Sequence, residues 1–587
     1  MSNSRLADRI AVAVQIAGVV LVGVALSLRR VGDFDLPWHM AYGRAIVASR
    51  SIPRVDDFAF SHRPIQYAEF LADLLLYGVH RVGGALGLQV LGGLCGVAIA
   101  LLMLAASRPY QAIAPIVVAA SLAAMNAWLI VRPATLSFVL VAVFVFALGV
   151  HRERGSRRAL AALAVLQLLW ANVHGFVVLG IGLLALYAAY RTAARVLDQR
   201  FPTLFPERDG HDAWFAVAVA GAGLVLSLIN LGGARLLFGP VRTSGDFQVI
   251  TEWAAATPRF ILRTEPGVGI VLALFLLAVL LGREPRTGQR VPPALDIALG
   301  AAAIVLGASA VRLLPVSAIL VCPFVARRLS TVVPPTGWVR VAGSLSIVLV
   351  AGFMALRPGT EIGVGFDTQH YPEGAVNYIR SARPQGRMWN FMPFGGWLVW
   401  RLYPDYRVMI DGRSAWVHDP VLWKRALDSD RRLDAFESIA RDLDLQFAVS
   451  RASEGEPFGE GVAAAPGWQM VYWDDCSAVY VKRGGPNETL AAHGYRLLRH
   501  LTPPGQVLVW AMTRPDLSVD LAWDTALAAA QAPDSPRAAF LDGCGAIATH
   551  DVDRVRRVQQ RLTVLVPGHP AIRALAEAWT ETDRASQ

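Results

Sequence analysis

Long apolar blocks recur from the N-terminus to about Leu356 and then stop, and nothing else in the chain narrows the possible folds as much. A run of about 17 or more apolar residues is long enough to cross a hydrocarbon core of roughly 30 Å as a helix. Inside that core every backbone polar group has to be paired within its own segment. Such runs, bounded by charge or by Pro/Gly clusters, fall at 10–28, 84–106, 112–130, 134–150, 159–174, 176–193, 213–231, 267–282, 294–310, 311–326 and 338–356. They predict a polytopic α-helical membrane protein of about 11 spans. No small-residue cleavage pattern follows the first run, so it reads as an uncleaved helix rather than a signal peptide.

The 587 residues are 54% hydrophobic and only 17% charged, which fits an integral membrane chain better than a soluble one. The net charge of +10 is topological rather than a nucleic-acid footprint. Basic residues gather at Arg5 and Arg9, at 151–158, 190–200 and 282–290, and at Arg327–Arg328, which are alternate connections between the spans. By the positive-inside rule these are cytoplasmic, and an odd span count places everything after Leu356 outside. Four cysteines (Cys95, Cys322, Cys476 and Cys544) show no CxxC or Cys/His spacing, so no zinc site is expected. A Cys476–Cys544 bridge is the one pairing left open.

The unusual polar residues fall on the opposite, outer side. GDFDLPWH (32–39) follows the first span, VRPAT (131–135) links the third and fourth, and WANVHG (170–175) closes the fifth. NLGG (230–233) and ITEW (250–253) follow the seventh, and Arg312 lies between the ninth and tenth. Ionisable groups retained at a membrane boundary are a functional signal, and this one-sided clustering predicts a polar cavity opening to the outer face. Tyr67 to Gly83, with Glu69 and Asp73 at i and i+4 among apolar residues, reads as an amphipathic helix in the interface. It either shapes that cavity or packs over the bundle.

An acidic pair at the start of the first outer loop, then an interfacial helix, then a many-span bundle with an outer soluble part, resembles the GT-C superfamily of membrane glycosyltransferases. The string GDFDLPWHMAYGRAIVASRSIPRVDDFAFS followed by AEFLADLLLY carries the closest likeness. WANVHG, NLGG, Glu252–Trp253 and FGGWLVWRLYPDYRVMIDGR (394–413) extend it. The pattern departs at Glu69-Phe70-Leu71 and at Asn230-Leu231, neither of which loses a carboxylate. The resemblance implies a polyprenyl-phosphate-linked sugar donor and transfer at the outer face of a bacterial inner membrane.

An inverting displacement of that kind needs a base for the acceptor hydroxyl, cations for the departing phosphate and an apolar groove for the lipid. Asp35 is the first candidate base and Asp33 the second; a helix cap is the competing role for either acid. Together the pair offers oxygen ligands of the kind Mg²⁺ or Mn²⁺ takes. Arg132 and Arg312 are candidate phosphate ligands through their planar paired donors, against simple snorkelling to headgroups. His39, Glu69, Asn172, His174 and Glu252 are candidate substrate-binding residues, with capping and structural hydrogen bonding as their competing roles.

Three domains are expected: 1–356, a GT-C-like transmembrane domain; 357–485, an extracytoplasmic α/β domain; and 486–587, a helical repeat region resembling tetratricopeptide (TPR-like) pairs. In the α/β part, RMWNF, YRVMID, FAVS, WQMVYW and SAVYVK read as strands and PEGAVNYIRS and GGWLVWRLY as helices. Helices are expected near 489–501, 518–531, 535–549, 551–565 and 570–583 in the tail. Expected partners are a lipid-linked donor, membrane lipid and a protein bound through the tail. The competing readings are a lipid-linked sugar transporter or flippase, and a non-catalytic scaffold.

Overall fold

A computed structural model describes residues 3–65, 69–108, 112–206, 212–236, 251–285, 287–334, 336–357, 360–413, 417–453 and 455–586. Tyr67 and Ala68 of the expected interfacial helix, Ile250 of the ITEW string and Arg286 of a basic loop lie outside the described residues. The chain divides into two compact units, one of 1–52 with 66–366 and one of 53–65 with 367–587.

The first unit is helical. Its helices are α1 (Asn3–Ser27), α2 (Leu36–Ser49), α3 (Phe70–Ala106), α4 (Ala114–Met125), α5 (Pro133–Arg154), α6 (Arg157–Trp170) and α7 (Val177–Leu197). There follow α8 (Ala213–Ser227), α9 (Pro258–Arg263), α10 (Pro266–Leu280), α11 (Ala294–Ser309), α12 (Leu314–Leu329) and α13 (Gly337–Ala355). Each apolar run expected to span overlaps one of these helices. Among the described residues, five helices are long and apolar enough to cross a membrane: the apolar part of α1, then α3, α5, α7 and α13; α4, α8, α10 and α11 are shorter apolar helices. This is a multi-pass membrane chain. The α1 helix packs on α13 and α3, and α4, α5 and α12 fill the middle with residues such as Val118, Phe144 and Ile319, all fully buried.

Two local features set up the polar end of this unit. The α3 helix is broken at Gly84, whose φ of 57° is a left-handed value open to glycine. An initial segment, Phe70–Gly83, is thereby separated from the long apolar part. In α2, a Cβ on Gly43 would lie 2.3 Å from the Asp73 carbonyl oxygen and 2.5 Å from the Cβ of Tyr77. Only glycine lets α2 press this closely on α3, and His39 stands one helical turn before it.

The second unit joins a sheet to helices. Strands β1 (Arg387–Asn390), β2 (Leu445–Arg451), β3 (Trp468–Trp473) and β4 (Ser477–Lys482) run in the order β1-β2-β4-β3. β1 and β2 are parallel, and the other two pairs are antiparallel. The helices are α14 (Glu373–Ala382), α15 (Gly395–Leu402), α16 (Pro420–Arg431), α17 (Leu433–Asp442), α18 (Glu460–Ala464) and α19 (Glu488–Ala492). The tail adds α20 (Pro504–Thr513), α21 (Ser518–Gln531), α22 (Pro536–Ala548), α23 (Val552–Leu565) and α24 (Pro570–Ser586), in which neighbours from α21 onward pack on one another.

Three expectations are corrected. YRVMID is not a strand: Met409 and Ile410 donate their backbone N–H groups to the Asn390 side chain, and Val408 makes a single bridge to Ala59. Those backbone groups are satisfied outside any ladder, so burial of Val408, Met409 and Ile410 did not need one. The helix expected over 489–501 shrinks to Glu488–Ala492, because Asp524 takes the backbone N–H groups of Arg496, Leu497 and Leu498 and holds them out of a helix. Cys476 and Cys544 are free thiols buried separately, one at the β3–β4 turn and one inside α22.

Residues 53–65 belong to the second unit through a buried ion network. Arg413 donates from Nη1 to Asp56 Oδ1 at 2.6 Å and from Nε to Asp411 Oδ1 at 2.8 Å, and its Nη2 pairs with Asp411 Oδ2. His418 Nε2 lies 3.1 Å from Asp411 Oδ1. Asp56, Asp411 and His418 are fully buried or nearly so.

Candidate active site

At one end of the first unit the termini of successive helices converge and bring their polar residues together. The loop after α1 supplies the acids. Asp33 Oδ1 accepts the backbone N–H groups of Asp35 and Leu36 at 3.0 and 2.9 Å, which caps the start of α2. Its other oxygen lies 3.7 Å from Arg132 Nη1. Asp35 accepts the Trp38 indole N–H, at 3.2 Å.

Arg132 stands immediately before α5 and donates to Glu252 Oε1 at 3.0 Å. Arg312 sits in the turn between α11 and α12. It lies over Trp253 at 4.5 Å and Phe176 at 5.0 Å, a guanidinium held between two aromatic faces. Among the described residues it makes no ion pair, and its Nε is buried without a hydrogen-bond partner. It nevertheless lies within electrostatic reach of Glu252, Asp35 and Glu69.

Glu69 is placed between two imidazoles. Its Oε2 is 3.7 Å from His39 Nε2 and its Oε1 is 3.7 Å from His174 Nε2. His39 is anchored from its other side, Nδ1 lying 2.7 Å from Asp73 Oδ1, and its ring packs against Trp38, tilted by 30° with centroids 3.5 Å apart. His174 is anchored by Ser137: the Trp170 indole donates to Ser137 Oγ at 2.9 Å, and Ser137 Oγ is 3.0 Å from His174 Nδ1. The backbone N–H of Phe176 also points at His174 Nδ1, at 3.3 Å.

Asp33, Asp35, His39, Glu69, Arg132, His174, Glu252 and Arg312 therefore converge in one cluster. Asn172 lies beside it, but both of its side-chain N–H groups are spent on the carbonyls of Leu168 and Ile229, at 2.8 and 2.9 Å. Its place is that of a clamp between α6 and the end of α8. Sequence reasoning missed Ser137, which carries no signal, and gave no role to Asp73, Phe176 or Trp253. The i,i+4 relation of Asp73 to Glu69 was the only clue to that residue.

Burial governs the electrostatics. It raises the Asp35 carboxyl to about 8, with help from the neighbouring Asp33 and Glu252 charges. It also raises Asp33, against the opposing pull of Arg132. Glu69 is pushed up to about 7, again by burial. Glu252 is the exception: burial works against its charge, but Arg132 and Arg312 hold it below the usual carboxylate range. The cluster thus holds an ionised Glu252–Arg132 pair beside carboxyls that resist ionisation.

As placed here, Asp33 does not fit a resident divalent cation. One Asp33 oxygen is committed to two backbone N–H groups and the other faces a guanidinium, where a cation would meet like charge. Among the described residues no three of His, Cys, Asp and Glu are grouped to hold a metal ion.

No protein-family model matches the chain, and no curated protein does. Several solved structures are similar to it. The oligosaccharyltransferase of Archaeoglobus fulgidus is 12% identical, with a TM-score of 0.49 over 81% of this chain and 75% of that one. ArnT from Cupriavidus metallidurans, bound to undecaprenyl phosphate, is 14% identical, with a TM-score of 0.46 over 81% of this chain and 99% of that one. The arabinofuranosyltransferase AftD from Mycobacteria is 13% identical, with a TM-score of 0.43 over 81% of this chain and 40% of that one. These are GT-C membrane glycosyltransferases.

Proposed function

We propose that the chain is a glycosyltransferase that uses a polyprenyl-phosphate-linked sugar and transfers the sugar by an inverting displacement at this cluster. The observation that carries the reading is Arg312: a guanidinium without an ion pair among the described residues, held between Trp253 and Phe176 beside a carboxyl that resists ionisation. A buried cation left without a counter-ion is costly. An anionic ligand supplies that counter-ion, and the donor phosphate has the right charge and geometry for a guanidinium.

In this reading Arg312 and Arg132 hold the phosphate. The acceptor hydroxyl attacks the anomeric carbon as the bond from that carbon to the phosphate oxygen breaks, and the electron pair leaves on the phosphate. Asp35, as carboxylate, takes the hydroxyl proton. Asp33 caps α2 and fixes the loop, with base chemistry as its secondary role. The bundle crosses a bacterial inner membrane about 11 times, with the cluster and everything after Leu356 on the outer side. The 357–485 part, and the 486–587 helices read as TPR-like pairs, serve acceptor or partner binding there.

The test is transfer by purified protein in nanodiscs, offered a panel of polyprenyl-phosphate-linked sugars and cell-envelope acceptors. The reading expects labelled product and free polyprenyl phosphate from the wild type, and undecaprenyl phosphate binding that is weakened by Arg312→Ala. Transfer at the wild-type rate by both Asp35→Asn and Asp33→Asn overturns the base assignment. The transporter or scaffold reading then takes its place.

A further inference from the structure

A second group of charges lies at the far end of the same bundle. The α5 helix starts beside Arg132 of the cluster and carries Arg152 near its other end, about 20 residues and hence about 30 Å further along. There α5, α7, α11 and α12 leave a cavity of about 830 Å³, its open mouth included. Its walls are apolar, with Leu148, Leu183, Leu299 and Phe324 among them, and the charged residues that line it are Arg152, Glu153, Asp296 and Arg327. Gly149, also in the lining, adds no side chain to the space, and a Cβ built there would meet nothing within 4 Å. Pro323 lines the cavity from inside α12, where it interrupts the backbone hydrogen-bond ladder of the helix. The charges are unevenly matched. Asp296 is buried and pairs closely with Arg327 Nη2, while Arg327 Nε lies 3.3 Å from Glu284. Arg152 Nη1 is 3.5 Å from both Asp296 oxygens, at the long limit of a hydrogen bond. Arg152 can therefore turn to an incoming anion while Asp296 keeps Arg327.

We infer that this cavity binds one glycerophospholipid of the leaflet opposite the cluster, with an acyl chain between α5, α7, α11 and α12, the phosphate at Arg152 and an ammonium headgroup at Glu153. An apolar space beside lipid is filled by hydrocarbon, because walls facing a void forfeit their dispersion contacts. The walls do not choose among lipids, since one acyl chain is as apolar as another. The charged rim does. Arg152 and Arg327 against Glu153 and Asp296 leave the lining without net charge, so a headgroup that carries both signs is matched at both. An anionic headgroup without an ammonium would meet Arg152 but also face the two carboxylates. A lipid held here has a consequence for the cluster. Arg132 immediately precedes α5 and Arg312 lies just before α12, so the two helices that lead away from the cluster arginines are tied together at their other ends.

Native mass spectrometry of the full chain, released from nanodiscs made of equal parts phosphatidylethanolamine and phosphatidylglycerol, tests this. The wild type is expected to keep one phosphatidylethanolamine, in preference to phosphatidylglycerol, under activation that strips the surrounding lipid. Gly149→Leu fills the cavity from a position with room for the side chain. It should lower the retained lipid about tenfold, the effect of about two methylene groups losing their burial. Arg152→Ala should lower retention and abolish the preference between the two headgroups. A wild type that keeps no phospholipid overturns the proposal, and so does one that keeps phosphatidylglycerol equally or better; neither result depends on a variant folding. Unchanged retention in a folded Gly149→Leu removes the cavity as the site. An unchanged preference in a folded Arg152→Ala overturns the placing of the phosphate.

Discussion

Each unit of this chain buries a cluster of aspartate, arginine and histidine, and the two are built to opposite ends. In the second unit Arg413 is spread over two carboxylates, Asp56 and Asp411, with His418 alongside Asp411. Burial works against the Asp411 charge, but Arg413 and His418 overcome it and hold the carboxyl well below its ordinary range. In the first unit, among the described residues, Arg312 is held by aromatic faces and forms no ion pair, Asp35 has one indole N–H for a partner, and Asp35 and Glu69 are raised toward neutrality by burial. The same residue types make a latch where they satisfy one another and, where they do not, the site proposed for transfer. Groups with perturbed proton affinity gathered in one place mark function more reliably than charge content does.

The largest expected effect sharpens the contrast. Asp35→Asn should lower the rate of transfer by about 10²–10⁴-fold, the usual contribution of a general base. Thermal stability should hold or rise, because the amide resembles the protonated acid that burial favours. Initial rates and melting curves on one preparation check both halves. Arg413→Ala should do the reverse. Leaving Asp56 and Asp411 buried without their cation should cost about 3–5 kcal/mol, read as early unfolding or proteolysis of the second unit, while folded molecules retain donor binding.

Arg312→Ala should weaken binding of the donor phosphate by about 1.5–3 kcal/mol, the value of a charge-assisted contact, with a smaller change in turnover. A raised KM at near-normal kcat is the expected signature.

The pH dependences should also diverge. Asp35 is raised from 3.8 to about 8, so the folded state binds its proton more tightly than the unfolded state does. Its contribution to stability is full below about pH 4 and is lost as pH rises toward about 8, while transfer, which needs the carboxylate, climbs over the upper part of that range. Asp411 is lowered, so its contribution is present above the unfolded value of 3.8 and is lost as pH falls below it. Rate against pH and denaturation against pH should therefore give opposite slopes for the two clusters.

The smallest effect is a control. Arg63 and Asp419 form an ion pair at 2.7 Å with both side chains more than two-fifths exposed. Arg63→Ala should cost about 0.2–1 kcal/mol at most. A loss as large as that of Arg413→Ala would show that pairing geometry outweighs burial in this unit.

The sequence by itself determined the parts that depend on neighbours along the chain. Apolar runs located the helices of the first unit because length and hydrophobicity are local properties. The loops between those runs placed Asp33, Asp35, Glu69, Arg132, His174, Glu252 and Arg312 at one end of the bundle. β1–β4 were legible from their apolar, β-branched and aromatic runs. Tertiary structure alone decided which charges are paired. Asp33, Asp35 and Asp411 look alike as strings, yet Asp56 pairs with Arg413, 357 positions away, and Arg312 meets aromatic rings rather than an acid among the described residues. The same holds for YRVMID, whose apolar content implied a strand until the Asn390 side chain took its backbone groups. It holds equally for Asn172, whose side-chain donors went to carbonyls of α6 and the end of α8. Local pattern fixes an element because its hydrogen bonds close within a few residues. A side chain's proton affinity and partners depend instead on desolvation and on groups brought in from elsewhere in the chain, which exist only once the helices have packed.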